Sequence, residues 1–367
     1  MKRVWGHGVV FLLVFFGTGL VLNALVRSFV PVPYMGLLTD KIKAFDQYRD
    51  DIDIVFIGTS RTFRQVNAPM IESLMQEKGC GSYTVFNMGI PNLTYVEMRY
   101  VLDHIYAKPV PRLKMVILDE PMPAVRPELE RLWADRIRYF SDVSGTVVRL
   151  QDILSDQHTP LKKMARVGIA VLGFLYEQSN VGHLSRGVFP QLYAHYTETD
   201  PESQNMPDDW KATRGYFSLE EQGHVNEAVQ KRHDVFLKNL PAFSERLEAQ
   251  KQHEPDVSVL SPVRLVLFED VLTRIRDHGQ IAGLYLPPLP DNVSGNLALE
   301  RAVARLSPEI LLLYYNDPAR YRVFWDARLW FDDAHLNDEG SRMLSALMAE
   351  NMCSVTKKWE SSSHAVR

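Results

Sequence analysis

The chain predicts an α/β fold: a five-stranded parallel sheet with helices on both faces, carrying a mainly helical insertion between its third and fourth strands. Three observations lead there. Short β-rich runs alternate with helical patterns, and strands joined by crossover helices require a parallel sheet covered on both sides. About 160 residues separate the third run from the fourth, far more than the dozen or so a crossover needs, so extra structure is inserted there. The 367 residues are 46% hydrophobic and 23% charged, ordinary globular usage that excludes disorder and low-complexity scaffolds.

The N-terminal segment reads differently from the rest. Val4 to Val26 holds no Lys, Arg, Asp or Glu and as a helix would be about 34 Å long, enough to span a bilayer. Lys2 and Arg3 precede it, which places the N-terminus in the cytoplasm and the following chain outside. An uncleaved anchor in a bacterial cytoplasmic membrane, with an extracytoplasmic (periplasmic) catalytic domain, is therefore expected. The corresponding layout is 1–3 cytoplasmic, 4–26 transmembrane, 27–48 linker, 49–125 first part of the α/β domain, 126–260 insertion, 261–355 second part and 356–367 flexible tail.

The first strand is Ile52 to Ile57, ended by Gly58, a short β-rich run with the pattern of a buried parallel strand. A helix follows from about Pro69, capped by Asn67, with Ile71, Leu74 and Met75 on one face and Gly79 as its stop. Tyr83 to Met88 is the second strand. Thr94 and Glu97 form a capping box ahead of the stripe Met98, Val101, Leu102 and Ile105. Lys114 to Leu118 is the third strand. Inside the insertion, Val167 to Tyr176 is apolar but too short to span a bilayer, and reads as a buried helix of a cap subdomain. Residues 196–260 are polar and read as loop plus solvated helix. Leu265, Phe268, Leu272 and Ile275 then mark a helix leading into the fourth strand, Ile281 to Leu286; a further helix near Leu297 to Leu306 leads to the fifth, Ile310 to Tyr315.

The chemistry lies at two distant points. Gly58-Thr59-Ser60 follows the C-terminal end of the first strand, where open parallel sheets bind ligands. A hydroxyl needs a general base to become a nucleophile, and that base needs an acceptor on its other ring nitrogen. Of eleven histidines, only His335 has an Asp three positions before it, in Asp332-Asp333-Ala334-His335; Glu221 and His224 are the nearest imitation. Ser60, Asp332 and His335 form one candidate triad.

These blocks make the chain resemble the SGNH, or GDSL-like, hydrolase family, whose first block is a strand ending in Gly-Asp-Ser or a variant and whose last is Asp-x-x-His before the final helix. The resemblance implies a flavodoxin-like strand order, Ser60 as nucleophile, His335 as base and Asp332 as its partner. It also implies an oxyanion hole built from the Ser60 and Gly89 amides; the family's Asn donor is missing, because the third block here reads Asp119-Glu120-Pro121-Met122-Pro123, and Asn92, just beyond Gly89, is the candidate substitute. Such donors commonly supply about 3 kcal/mol each. Thr59 likewise replaces the first-block Asp. The chain looks like the divergent, membrane-anchored branch of that family, similar to proteins that work with a membrane-bound O-acyltransferase in acetylating exopolysaccharide or decorating cell-wall polymers.

Arg61 and Arg64 follow the nucleophile and are candidates to hold an anionic group of a glycan, with a solvated ion pair as the alternative. Asp119 and Glu120 are an acid pair, metal ligands or loop-shaping residues. Cys80 and Cys353 are too few for a disulfide framework and are read as two buried thiols, with one disulfide as the alternative. A net charge of −4 leaves no global field for nucleic acid. No dinucleotide or phosphate-loop motif and no His-Glu-x-x-His occurs, so no cofactor or metal is implied. The expected function is a serine esterase or O-acyltransferase acting on a cell-surface polysaccharide, with a catalytically inactive assembly or glycan-binding protein of the same fold as the alternative.

Overall fold

Five parallel strands, β1 (Ile54–Gly58), β2 (Val85–Gly89), β3 (Met115–Asp119), β4 (Ile281–Leu286) and β5 (Leu311–Tyr314), form one sheet in the order β2-β1-β3-β4-β5. Every residue of β1, β2 and β3 is buried, as their mostly apolar runs lead one to expect. A computed structural model describes residues 34–120, 143–155, 159–179, 210–252, 260, 262–307 and 309–365, with isolated positions among 7–25 and 136–140.

The helices are α1 (Leu37–Tyr48), α2 (Ser60–Gln65), α3 (Ala68–Glu77), α4 (Tyr95–Tyr106), α5 (Val143–Ser155) and α6 (Pro160–Ser179) in the first half of the chain. They continue with α7 (Leu219–Gly223), α8 (Glu227–Gln252), α9 (Pro262–Asp277), α10 (Val293–Leu306) and α11 (Asp338–Ala365). The expected signals operate: Asn67 accepts from the Met70 amide at 3.1 Å, Thr94 and Glu97 close their capping box, and Gly79 and Gly279 take positive φ at the ends of α3 and α9.

Two compact units divide the chain: Met1–Thr39 with Pro123–Asp200, and Asp40–Met122 with Pro201–Arg367. The sheet belongs to the second. The first contains the hairpin of α5 and α6, and here the expectation of a buried cap helix is corrected. Within Val167 to Tyr176, Ala170 is buried, but Val171 and Leu172 are 37% and 67% exposed.

The transmembrane anchor is also corrected. Among the described residues no helix is long and apolar enough to cross a membrane, and of 4–26 only scattered positions are described. A span needs about 20 continuous apolar helical residues. The segment expected as a linker carries α1, with Leu38, Lys41 and Phe45 fully buried. The expected tail continues α11 to Ala365. Nor is the stretch 210–252 a solvated appendage: Phe236, Phe243 and Leu247 of α8 join the core beside Trp325 and Trp330.

Cys80, just past α3, and Cys353 on α11 form a disulfide, with Cα atoms 5.4 Å apart and a sequence separation of 273. The expectation of two separate thiols fails because pairing depends on a distance that only the packing of α11 against α3 creates.

Candidate active site

Gly58, Gly89 and Asp119 end three adjacent strands in register: Gly58 pairs with Gly89, and Ile57 with Leu118. The chain leaves β1 through Thr59, whose hydroxyl caps α2 by accepting from the Arg61 amide at 3.4 Å. Ser60 is thus the first residue of α2, at the C-terminal edge of the sheet. A Cβ on Gly89 would collide with the backbone of Phe63, so glycine there lets α2 lie directly against β2. Asn87 locks that approach, donating to the carbonyls of Thr62 at 2.7 Å and Val66 at 2.8 Å.

His335 sits in a closed turn. Trp330 and Leu336 form an antiparallel bridge, and the Phe331 amide donates to the His335 carbonyl at 2.9 Å. Asp332 Oδ1 accepts from the amides of Ala334 at 2.9 Å and His335 at 2.8 Å, an Asx turn that fixes the carboxylate before any catalytic contact is counted. Its hydrogen bond with His335 Nδ1 measures 2.8 Å. On the ring's other side His335 Nε2 lies 2.8 Å from Ser60 Oγ. The three candidate residues are therefore brought together in the order nucleophile, base and orienting carboxylate.

Residues 275 positions apart meet because α11 is tied to α2. Ser341 Oγ donates to the Arg64 carbonyl and Ser345 Oγ to the Gln65 carbonyl, both at 3.3 Å, while the Asn67 amide donates to Ser345 Oγ at 3.0 Å. The helix after the histidine is thus bonded to the end of the helix that begins with the serine.

The charges around the loop favour the ionised form of Asp332. Burial pulls the Asp332 carboxyl upward, but the neighbouring His335, its hydrogen bond and Arg232 overcome this and hold it well below the usual carboxylate range. Arg232 Nε lies 3.2 Å from Asp332 Oδ2. The next residue, His233, stacks on Phe331 and donates from Nδ1 to its carbonyl at 2.7 Å. Sequence reading missed both, since α8 lies about a hundred residues from the loop it supports and no spacing rule links them.

The remaining expected residues divide. Arg61 keeps a partly exposed side chain beside the site, its Nη2 4.0 Å from Asp119 Oδ1. Arg64 does not face a substrate: it is 2% exposed, donates to the Phe217 carbonyl at 3.1 Å and binds Gln222 of α7. The Gly89 amide donates to Asn87 Oδ1 at 2.8 Å, so it is engaged within its own strand end. Asn92 is exposed in a left-handed turn, φ 54°. Glu120 pairs with Arg264, and Glu221 closes the capping box of α7. A fully buried lysine, Lys41, donates to the carbonyls of Asn87 at 2.8 Å and Gly215 at 2.7 Å; burial, aided by the charge of Arg64, pushes its ammonium well below the usual lysine range.

One contact near the site titrates in a useful range. Glu220 of α7 accepts the Asp338 amide at 2.9 Å, three residues past His335. Burial, then the adjacent Asp338 carboxyl, raises the Glu220 carboxyl from 4.5 to about 7. A carboxyl that holds its proton more tightly when folded contributes stability that is complete below pH 4.5 and lost as pH rises through about 7. Discounted for its solvent-facing part, the contribution is on the order of 1 kcal/mol. The urea midpoint should therefore fall between pH 5.5 and 8.5, and Glu220→Gln should flatten that dependence. A profile of equal slope in the variant would exclude Glu220 as its source.

No protein-family model matches the chain, and no curated protein matches its sequence. The hydrolase and esterase labels carried by the resemblance are therefore withdrawn as descriptions of this chain, and the case for chemistry rests on the geometry of Ser60, His335 and Asp332.

Proposed function

We propose that the protein is a serine acyl-transfer enzyme of the SGNH type. The observation that carries this reading is the continuous hydrogen-bonded line from Ser60 Oγ through His335 to Asp332, 2.8 Å at each of its two links. Ser60 attacks the carbonyl of an acyl ester while His335 Nε2 takes the hydroxyl proton. The tetrahedral intermediate collapses to an acyl-enzyme as that proton passes to the leaving alcohol. A hydroxyl, of a sugar or of water, then attacks the acyl-enzyme after His335 removes its proton, and Ser60 is regenerated. Asp332 accepts the Nδ1 proton of His335 in a hydrogen bond throughout, which keeps Nε2 free to act as base.

The acceptor in this reading is a cell-surface polysaccharide, with a membrane-bound O-acyltransferase as the source of acyl groups. The Cys80–Cys353 disulfide supports an oxidising, extracytoplasmic setting. A second reading, a non-catalytic glycan-binding protein, is favoured by the Gly89 amide being engaged by Asn87. A fluorophosphonate probe separates the two. Labelling of the wild type with none of Ser60→Ala supports the enzyme, whereas a folded wild type that stays unlabelled leaves the binding protein. Loss of polysaccharide acetylation in a Ser60→Ala strain would then identify the acceptor, and unchanged acetyl content would reject that substrate.

A further inference from the structure

Three hydrogen-bond donors converge on a single carboxylate oxygen beside the nucleophile. Asp119 Oδ2 accepts from the Thr59 amide at 3.1 Å, the Thr59 hydroxyl at 2.7 Å and the Thr62 hydroxyl at 3.3 Å. All three belong to the turn and first coil of α2, on either side of Ser60. The carboxylate is 1% exposed and stands at the end of β3, the central strand, in register with Tyr285 of β4. Its second oxygen faces Arg61, 4.0 Å away.

The arrangement is built rather than incidental. A Cβ on Gly58 would strike both the Thr62 side chain and Asp119 Cβ, so the carboxylate reaches the turn only because residue 58 has no side chain. The Thr59 hydroxyl has one proton and gives it to Asp119. It must therefore turn its lone pairs toward the Arg61 amide, which it caps at 3.4 Å. Asp119 thus orients the capping hydroxyl and, through it, the first turn of the helix on which Ser60 stands. A six-residue helix such as α2 cannot hold its own N-terminus rigid, and a nucleophile displaced by about 1 Å can lose two orders of magnitude in rate.

We infer that Asp119 is a positioning residue for the nucleophile, acting through Thr59 to hold the turn that presents Ser60 to His335. The inference rests on Ser60 being the nucleophile.

The test measures the saturating rate and the half-saturating concentration for fluorophosphonate labelling, together with the thermal midpoint, for wild type, Asp119→Asn, Thr59→Val and Thr59→Ser. Asp119→Asn should lower the saturating rate about 10- to 100-fold, with little change in half-saturation and an unchanged pH midpoint, since His335 and Asp332 are untouched. Thr59→Val should lower the rate several-fold, and Thr59→Ser, which restores the hydroxyl, should return it to the wild-type value. If Asp119→Asn does not fold, the Thr59 pair decides: equal rates for Val and Ser overturn the inference. A folded Asp119→Asn that labels at the wild-type rate overturns it too, as does one that loses only folded fraction while its folded molecules react normally. An unlabelled wild type is a different outcome, which removes the nucleophile assignment itself.

Discussion

Replacing His335 with alanine should slow labelling of Ser60 by about four orders of magnitude or more, and Asp332→Asn by about as much, with neither change unfolding the protein. Two distances set this expectation, 2.8 Å from His335 Nε2 to Ser60 Oγ and 2.8 Å from Nδ1 to Asp332 Oδ1. Without the imidazole nothing else among the described contacts accepts the Ser60 proton. The asparagine acts differently. Its carbonyl oxygen can still accept the Ala334 and His335 amides that Asp332 accepts now, so the turn survives. That same oxygen lies 2.8 Å from His335 Nδ1, so the ring keeps its orientation, but the variant carries no negative charge to stabilise the imidazolium that forms when Nε2 takes the Ser60 proton. Both variants should unfold within a few degrees of wild type, and label incorporation with time is the measurement. A His335→Ala protein that labels within tenfold of wild type would sink the proposed mechanism. A large loss in Asp332→Asn without loss of fold would separate the carboxylate's chemical role from its capping role.

Breaking the Cys80–Cys353 bond should produce the largest change in stability. The bridge joins residues 273 apart in sequence, and for a loop of that size the chain-entropy account gives about 5–6 kcal/mol, or about 10 °C in Tm. Both cysteines are buried, at 3% and 6% exposed. The link joins the end of α3 to α11, the helix that follows His335, so its loss also loosens the tie between the two halves of the triad. A Cys80→Ser, Cys353→Ser double variant should melt well below the oxidised wild type and match the reduced wild type, and its labelling rate should fall at temperatures where the oxidised protein is unaffected. Equal melting with and without reductant would mean that the bridge adds nothing to stability.

The local code was legible throughout the sheet. Strand runs fall within about two residues of their observed bounds, because a strand buried on both faces is mostly apolar and stops where the backbone turns. The caps at Asn67 and Thr94 and the glycine stops at 79 and 279 are short-range chemistry, read within four residues of the helix end. The triad could be read because each half carries its own local geometry: a serine just past a strand, and an Asp-x-x-His turn whose carboxylate caps the very loop that carries the histidine.

Long-range partners were not legible. Arg232 and His233 brace the histidine loop, Asp119 anchors the nucleophile turn, Arg64 serves α7 rather than a substrate, and Glu220 meets Asp338. In the polar stretch that holds α7 and α8 the core stripe Val229, Phe236, Phe243 and Leu247 is sparse, one residue in every one or two turns among charged neighbours, and escapes a reading by periodicity for that reason. By itself the amino-acid order determined a parallel sheet and two reactive stretches, since burial and capping act between neighbours in sequence. Only tertiary structure decided that the stretches meet, that the cysteines pair and that an aspartate on the central strand grips the serine turn. The first two outcomes depend on the docking of α11 against α2 and α3, a packing event between segments some 270 residues apart whose partners are specified by shape and not by spacing, and the third on the pairing of β1 with β3.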